Sequence, residues 1–589
     1  MIEQKIRQAV EQAVASIAPE VPAFTLEHPK EESHGDYAVN IAMQLASVLR
    51  RSPVQIAQEI AEKIKLPAGV ASVEVVQPGF INFWLDQPWL LQNIDQIELV
   101  GTKYGSSDWG KGKTWLIEHT SPNPNKAMHL GHLRNNVTGM AIANLWEAIG
   151  ITVIRDAVDN NRGISIAKLM WGFLKFARKD EKTTPPDIAH WSAHPDQWHT
   201  PESLHTRPDR FMDRLYTLAA EDCKADPEVD QKVRQMVVDW EAKDETTWKL
   251  WKHVLDYVYT GQNMTFARLG NKWDKVWHEH EHYQKGKDYV EEGLKKGIFR
   301  RLESGAILTD LEKYKLPDTV VIKSDGTSLY ITQDLALTDL KQKVLHPDKT
   351  FWVIGPEQSL AMKQVFAVSE QLGIGKREDF VHIAFGYMSI KGQGKMSSRL
   401  GNVIYIDDLI DTAKEVVVEQ MKERAFASPE EKERVAEEIA VGSVKYSILK
   451  VGRMTDTAFD FATSLSVEGD SGPYLQYTYA RSQSVLAKAQ GELSPISAEI
   501  KLNSAELAVL RWLYRYPETV QAAAMQFAPN CLANYLYELA QRFNTFYNSN
   551  QILVDDADTQ NFRLHLTTVV AQILENGLHV LGIATPKKM

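Results

Sequence analysis

Ser121-Pro122-Asn123-Pro124-Asn125-Lys126-Ala127-Met128-His129-Leu130-Gly131-His132 stands between two different patterns. Before it, Trp115-Leu116-Ile117-Glu118-His119-Thr120 is an apolar run with the length and flanks of a buried strand. After it, apolar residues recur at helical spacing from Leu133 to Ile149 and stop at Gly150. Two histidines and a glycine thus sit where a strand turns into a helix. Free backbone N–H groups and the positive end of the helix dipole make such a junction an anion site. Gly131 has no Cβ, so a flat ring such as adenine can lie against the backbone there. His129 and His132 can donate hydrogen bonds to phosphate oxygens as charge develops on them. Alone, so short a motif equally fits a pair of structural histidines.

A second stretch, Gly394-Lys395-Met396-Ser397-Ser398-Arg399-Leu400-Gly401-Asn402, lies far downstream. His-Leu-Gly-His after a strand, with Lys-Met-Ser-Ser following in that order, resembles the paired signature of class I aminoacyl-tRNA synthetases. The resemblance implies ATP as a substrate, held by His129, Gly131, His132, Lys395, Met396, Ser397 and Ser398, with Mg²⁺ accompanying the triphosphate. It casts His129, His132 and Lys395 as the catalytic residues that stabilise developing phosphate charge.

The bulk properties are those of a globular protein: 589 residues, 44% hydrophobic and 24% charged. A net charge of −11 argues against a general nucleic-acid coat but leaves room for a local basic groove. Cys223 and Cys531 are too few for a disulfide framework or a cysteine-ligated zinc site, so no zinc is expected and a reducing compartment is favoured. No apolar run reaches the roughly 20 residues of a membrane span. The N-terminus begins an amphipathic helix, so the expected location is cytoplasmic.

The patterns divide the chain. Residues 1–105 read as a small α/β module, with helical patterns at Ile2 to Ala18 and Ala38 to Lys65 and strands at Val73 to Val76 and Phe80 to Leu85. Residues 112–178 begin a doubly wound, parallel-sheet (Rossmann-type) α/β fold, in which ligands bind at the carboxyl ends of the strands. Residues 179–315 break that rhythm as a largely helical insertion. Within it His278, His280 and His282 would share one face of a strand, and with no neighbouring cysteine they read as a solvated edge. The α/β pattern resumes over 316–406, with strands at Thr319 to Lys323, Ser328 to Ile331, Thr350 to Ile354 and Phe380 to Phe385. From Asp407 onward the reading is all helical, a stem at 407–465 and a bundle at 466–589. The helix after Gly472 carries Tyr474, Tyr477 and Arg481 on one face, residue types that stack on and clamp single-stranded bases.

A pocket for free arginine needs carboxylates for a planar, permanent cation and an acceptor for the α-amine. Glu118 and Asn123 flank the motif loop, Tyr330 and Asp334 stand four apart, and Gln358 follows a predicted strand. Glu-His-Thr-Ser-Pro-Asn, Tyr-x-x-x-Asp and this glutamine resemble the arginine-binding positions of arginyl-tRNA synthetases. The resemblance covers essentially the whole chain. By it, Tyr330 and Asp334 hold the guanidinium, Gln358 lines the pocket, Glu118 and Asn123 orient the amine and carboxyl, and Lys126 binds arginine near the phosphates and the carboxylate. His34-Gly35-Asp36-Tyr37-Ala38-Val39-Asn40 resembles that family's N-terminal domain, which touches the outer corner of the tRNA and places Phe80 and Asn82 there. Tyr474, Tyr477, Arg481 and the terminal Met589 resemble its anticodon-binding bundle.

The implied reaction joins L-arginine to tRNA(Arg) through arginyl-adenylate, releasing pyrophosphate and then AMP, in a monomer with no obligate protein partner. Editing is unnecessary, because a site built to pair a guanidinium rejects analogues lacking it. Three other readings compete: a class I synthetase of another specificity, a nucleotidylyltransferase with an HxGH-type junction, and a catalytically silent tRNA-binding paralogue.

Overall fold

The computed structural model describes residues 2–180, 187–324, 330–392, 404–489, 493–497 and 499–589, without the side chains of Glu32, Lys287 and Tyr330. At its centre is a five-stranded sheet in the spatial order Phe380–Ile383, Lys349–Val353, Thr114–Glu118, Thr152–Asp159, Lys275–His278. Every neighbouring pair is parallel. The strand before the His-Leu-Gly-His motif is therefore central, flanked on one side by the next strand in sequence and on the other by one from much later. That is the switch point at which doubly wound sheets open a crevice.

Three expectations about this sheet are corrected. Its edge strand Lys275–His278 lies inside the segment read as a largely helical insertion, so the helical interruption ends before it. Val320–Ile322, read as the resumption of the sheet, instead pairs antiparallel with Ile307–Thr309 in a separate sheet completed by Phe299–Arg301. Of the strand expected at Ser328 to Ile331, Ser328 and Leu329 lie outside the described residues, and Tyr330 and Ile331 open the helix Tyr330–Leu345 instead. A short apolar run looks alike at a strand and at a helix start, and only the longer spacing of Ile331, Leu335 and Thr338 separates them.

The helices Pro208–Ala225, Pro227–Glu241 and Glu245–Leu269 fill the interruption. They bury their own core, in which Trp191, Trp198, Trp240 and Trp251 are prominent. The N-terminal module is a four-stranded sheet, Leu26–Glu27, Tyr37–Val39, Phe80–Leu85 and Val70–Val76 in spatial order. The helical pattern from Ala38 onward is split here. Tyr37–Val39 is a strand, and Arg50 takes a left-handed conformation between Ile41–Leu49 and Pro53–Lys63. Among the described residues beyond Asp407 the regular elements are helices apart from Thr457–Phe459, a strand parallel to Met388–Ile390 that corrects the all-helical reading.

The helix Leu130–Ala148 ties these parts together. Its Trp146 is fully buried, meets Trp115 edge-on at 4.9 Å, and donates Nε1–H to the carbonyl of Ala524 in the bundle at 3.1 Å. One continuous core runs from Ile81 of the N-terminal sheet through Phe351 of the central sheet to Leu574 of the bundle. The N-terminal module also meets the bundle through Tyr37, whose hydroxyl donates to Glu518 Oε1 at 2.6 Å.

Candidate active site

The motif helix begins at Leu130 with His129 as its N-cap. The amide of Gly131 donates to Nδ1 of His129 and the amide of His129 donates to Nδ1 of His132, both at 3.2 Å. An imidazole that accepts at Nδ1 while neutral must carry its proton on Nε2. The two rings lie 4.0 Å apart. Burial, reinforced by the charge of Lys126, lowers the pKa of His129 to about 4. Burial also holds His132 well below its ordinary value, with His129 and Lys126 adding to the effect. Near neutral pH the motif therefore offers two neutral Nε2–H donors at a helix N-terminus. Gly131 is exposed beside them, and a Cβ there would meet the His129 ring at 3.1 to 3.2 Å.

The loop leading into the motif is braced from outside. Gln262 Nε2 donates to the carbonyls of Lys126 at 3.0 Å and Asn123 at 3.3 Å, and Asp213 Oδ2 accepts from the Tyr405 hydroxyl at 3.1 Å. Tyr405 forms a bridge with His129, and the amide of Ile406 donates to the carbonyl of Met128 at 3.1 Å. Lys395, Met396, Ser397 and Ser398 lie outside the described residues. The segment from Ile404 to Ile406 is thus laid against the motif.

The other wall of the crevice is rich in carboxylates. Glu118, 8% exposed at its strand end, takes Lys341 Nζ on Oε2 at 2.6 Å and the Ser121 hydroxyl on Oε1 at 3.3 Å. Lys341 also reaches Asp156 Oδ2 at 2.8 Å, an oxygen that accepts Trp277 Nε1–H at the same distance. Asp334, in the first turns of Tyr330–Leu345, is open to solvent yet enclosed by protein on most sides, as a carboxylate on a cleft wall is. That enclosure, reinforced by the nearby charges of Glu118 and Glu279 and opposed by Lys341, raises its pKa to about 7. Glu279 is buried and also raised by burial, although Arg162 lies 3.8 Å away.

Among the other anticipated residues, Asn123 is exposed, and its Oδ1 accepts from Asn160 at 3.3 Å. Lys126 is half-buried beside the histidines, and Gln358 ends an exposed turn just before the helix Ser359–Leu372. Nothing of the Tyr330 side chain is described. Sequence reasoning missed Asp156, Glu279 and Lys341. The signals were present: an acid in the middle of an apolar strand, and a lysine two helical turns beyond Asp334 on the same face. The three alternating histidines do not share a strand face, because the strand ends at His278 and a short helix, Glu279–His282, follows. His278 Nδ1 pairs with Asp159 Oδ2 at 2.6 Å, while His280 meets Asn161. Among the described residues no group of three His, Cys, Asp or Glu could hold a metal ion.

The candidate tRNA contacts divide. Phe80 is half-buried at the start of its strand. Asn82 is only 3% exposed, opposite Ala38 and Glu74, and its Oδ1 has no hydrogen-bond partner among the described residues. On the bundle, Tyr474, Tyr477 and Arg481 do converge. Arg481 donates to Asn544 Oδ1 at 2.9 Å, and its guanidinium lies 4.7 Å from the Tyr477 ring centre and 4.8 Å from that of Tyr547. Tyr474 accepts from Asn544 Nδ2 at 3.0 Å. Asn544 and Tyr547, from the helix Pro529–Ser549, were not foreseen. Met589 packs half-buried against the large core.

Comparison with known proteins agrees along the whole chain. The family model for the class I tRNA synthetase (R) catalytic domain matches residues 93–461. The DALR anticodon binding domain matches 475–589, and the arginyl tRNA synthetase N terminal domain matches 1–85. The arginine–tRNA ligase of Parabacteroides distasonis is 32% identical over 625 residues, with all of both chains covered. That of Halothermothrix orenii is 31% identical over 588 residues, covering all of this chain and 99% of its own. Arginyl-tRNA synthetase from Thermus thermophilus superposes with a TM-score of 0.81 over the full length of both chains, a likeness of fold at 24% identity. With a central crevice, an N-terminal module and a helical bundle each matched in turn, the chain belongs to the arginyl-tRNA synthetase family.

Proposed function

We propose that the protein is an arginine–tRNA ligase, activating L-arginine with ATP and transferring it to the terminal adenosine of tRNA(Arg). The observation that carries this reading is the segregation of charge across one crevice. Neutral Nε2–H donors and a helix N-terminus stand at one end, while Asp334 and Glu118 stand at the other. A triphosphate suits the first end and the doubly cationic face of arginine the second.

In the first step the arginine carboxylate attacks the α-phosphorus and pyrophosphate leaves. His129 and His132 donate to the phosphate oxygens whose charge grows, with Lys126 beside them and Lys395 as the loop cation. Asp334 and Tyr330 hold the guanidinium, Gln358 lines the pocket, and Glu118 and Asn123 orient the amine and carboxyl. Mg²⁺ enters with the triphosphate. When bound, it would neutralise phosphate charge beside His129, His132 and Lys126. In the second step a ribose hydroxyl of the terminal adenosine attacks the activated carbonyl and AMP leaves. Phe80 on the N-terminal sheet and the Tyr474–Tyr477–Arg481 cluster on the bundle are the tRNA contacts, Met589 closing the bundle.

The deciding experiment is arginine-dependent ATP–pyrophosphate exchange, with and without tRNA(Arg), beside lysine and glutamate. Exchange with arginine only supports the assignment. Exchange with lysine or glutamate, or none while tRNA still binds, overturns it.

A further inference from the structure

Lys341 is 1% exposed and lies between two carboxylates, 2.6 Å from Glu118 Oε2 and 2.8 Å from Asp156 Oδ2. Asp156 is itself fully buried and fixed by Trp277. A buried lysine that only balanced charge could pair with Asp156 alone. This one also takes one oxygen of Glu118 at 2.6 Å, while Oε1 is held only by the longer 3.3 Å bond from the Ser121 hydroxyl. Lys341 sits seven residues after Asp334 in a single helix, about 10 Å along its axis. Arginine likewise carries two cationic groups at the ends of a chain of fixed length.

We propose that Lys341 is a positioning residue that clamps Glu118 to receive the substrate α-ammonium and, through its shared helix with Asp334, fixes the spacing between the acceptors for the two ends of arginine. This rests on the reading of the crevice as an arginine pocket. Removing the clamp leaves Glu118 and Asp156 as adjacent like charges, so Glu118 is either displaced or protonated, and in both cases it stops accepting from the ammonium. The guanidinium end keeps its acceptor.

The test compares arginine with 5-guanidinopentanoic acid, which lacks only the α-amine. For the wild-type and Lys341→Met proteins, the KM of arginine and ATP and the Ki of the analogue are measured in tRNA charging. Lys341→Met should raise the arginine KM about 30-fold, the worth of a charge-assisted hydrogen bond, and shift the analogue Ki and the ATP KM by less than about threefold. Lys341→Arg should recover the arginine KM to within about fivefold, and Lys341→Met added to Glu118→Gln should cost nothing further. An equal loss for arginine and analogue, or an arginine KM unchanged by Lys341→Met, overturns the clamp. A wild-type protein that charges no arginine overturns the pocket reading, and the clamp with it.

Discussion

The phosphate end of the crevice comes from one unbroken stretch, 121–132, whereas the amino-acid end gathers Glu118, Asp156, Glu279, Asp334 and Lys341 from separate strands and helices. At the first end the decisive contacts are local: a histidine capping its own helix and a second histidine closing the same turn. At the second they are long-range, as in the Lys341–Glu118 pair. The electrostatics differ in the same way. Burial neutralises the histidines and leaves them as donors, while the enclosed Asp334 holds a proton below about pH 7 and gives it up to an arriving cation. Damage at one end should therefore appear in the handling of phosphate and at the other in the handling of arginine.

The largest expected effect tests that separation directly. Asp334→Asn should lower kcat/KM for arginine about 1000-fold, beyond a single charge-assisted hydrogen bond because a buried-side cation loses its counter-charge, with the ATP KM nearly unchanged. An equal rise in the ATP KM would break the comparison. His132→Ala should instead lower kcat about 100-fold at a constant arginine KM, as loss of one preorganised donor to a developing oxyanion does.

The next effect is a pH dependence. Arginine binding needs Asp334 ionised, and its pKa of about 7 means a proton must leave on binding. The arginine KM should rise about tenfold for each unit below 7. This limb should survive His129→Gln, since His129 titrates near 4. In the ligand-free fold the sign for stability follows from the same shift. Asp334 is raised above its ordinary 3.8, so its contribution to stability declines as pH rises from about 4 to about 7, and bound arginine reverses the decline. Thermal unfolding across that range, with and without arginine, measures it. The smallest expected effect lies far from the crevice. Arg481→Ala should raise the tRNA KM about tenfold, near the lower range for a lost base-stacking contact, and leave exchange at saturating tRNA unaltered.

Legibility followed the same division. The strand–turn–helix around His-Leu-Gly-His could be read because a switch from an apolar run to helical spacing is a property of adjacent residues. Asp334 was reached through its spacing from Tyr330 and family resemblance, but the strand assigned across Tyr330 was wrong, since a few apolar residues do not distinguish the two elements. The edge strand Lys275–His278 was hidden inside the supposed insertion, because pairing with Thr152–Asp159 is a contact between distant segments. The burial of Asn82 could not be read either, because it follows from its strand lying between two others in the small sheet.

By itself, then, the sequence determined the order of the three parts, the motif at the head of the central helix, and the aromatic and basic face on the bundle. Each is fixed by residues that follow one another along the chain. Which strands are neighbours, which carboxylates share a wall, and that Lys341 stands between Glu118 and Asp156 were decided only by the tertiary structure. Those relations depend on how distant segments pack once water is excluded, and a buried charge finds its partner by position in space, not in sequence.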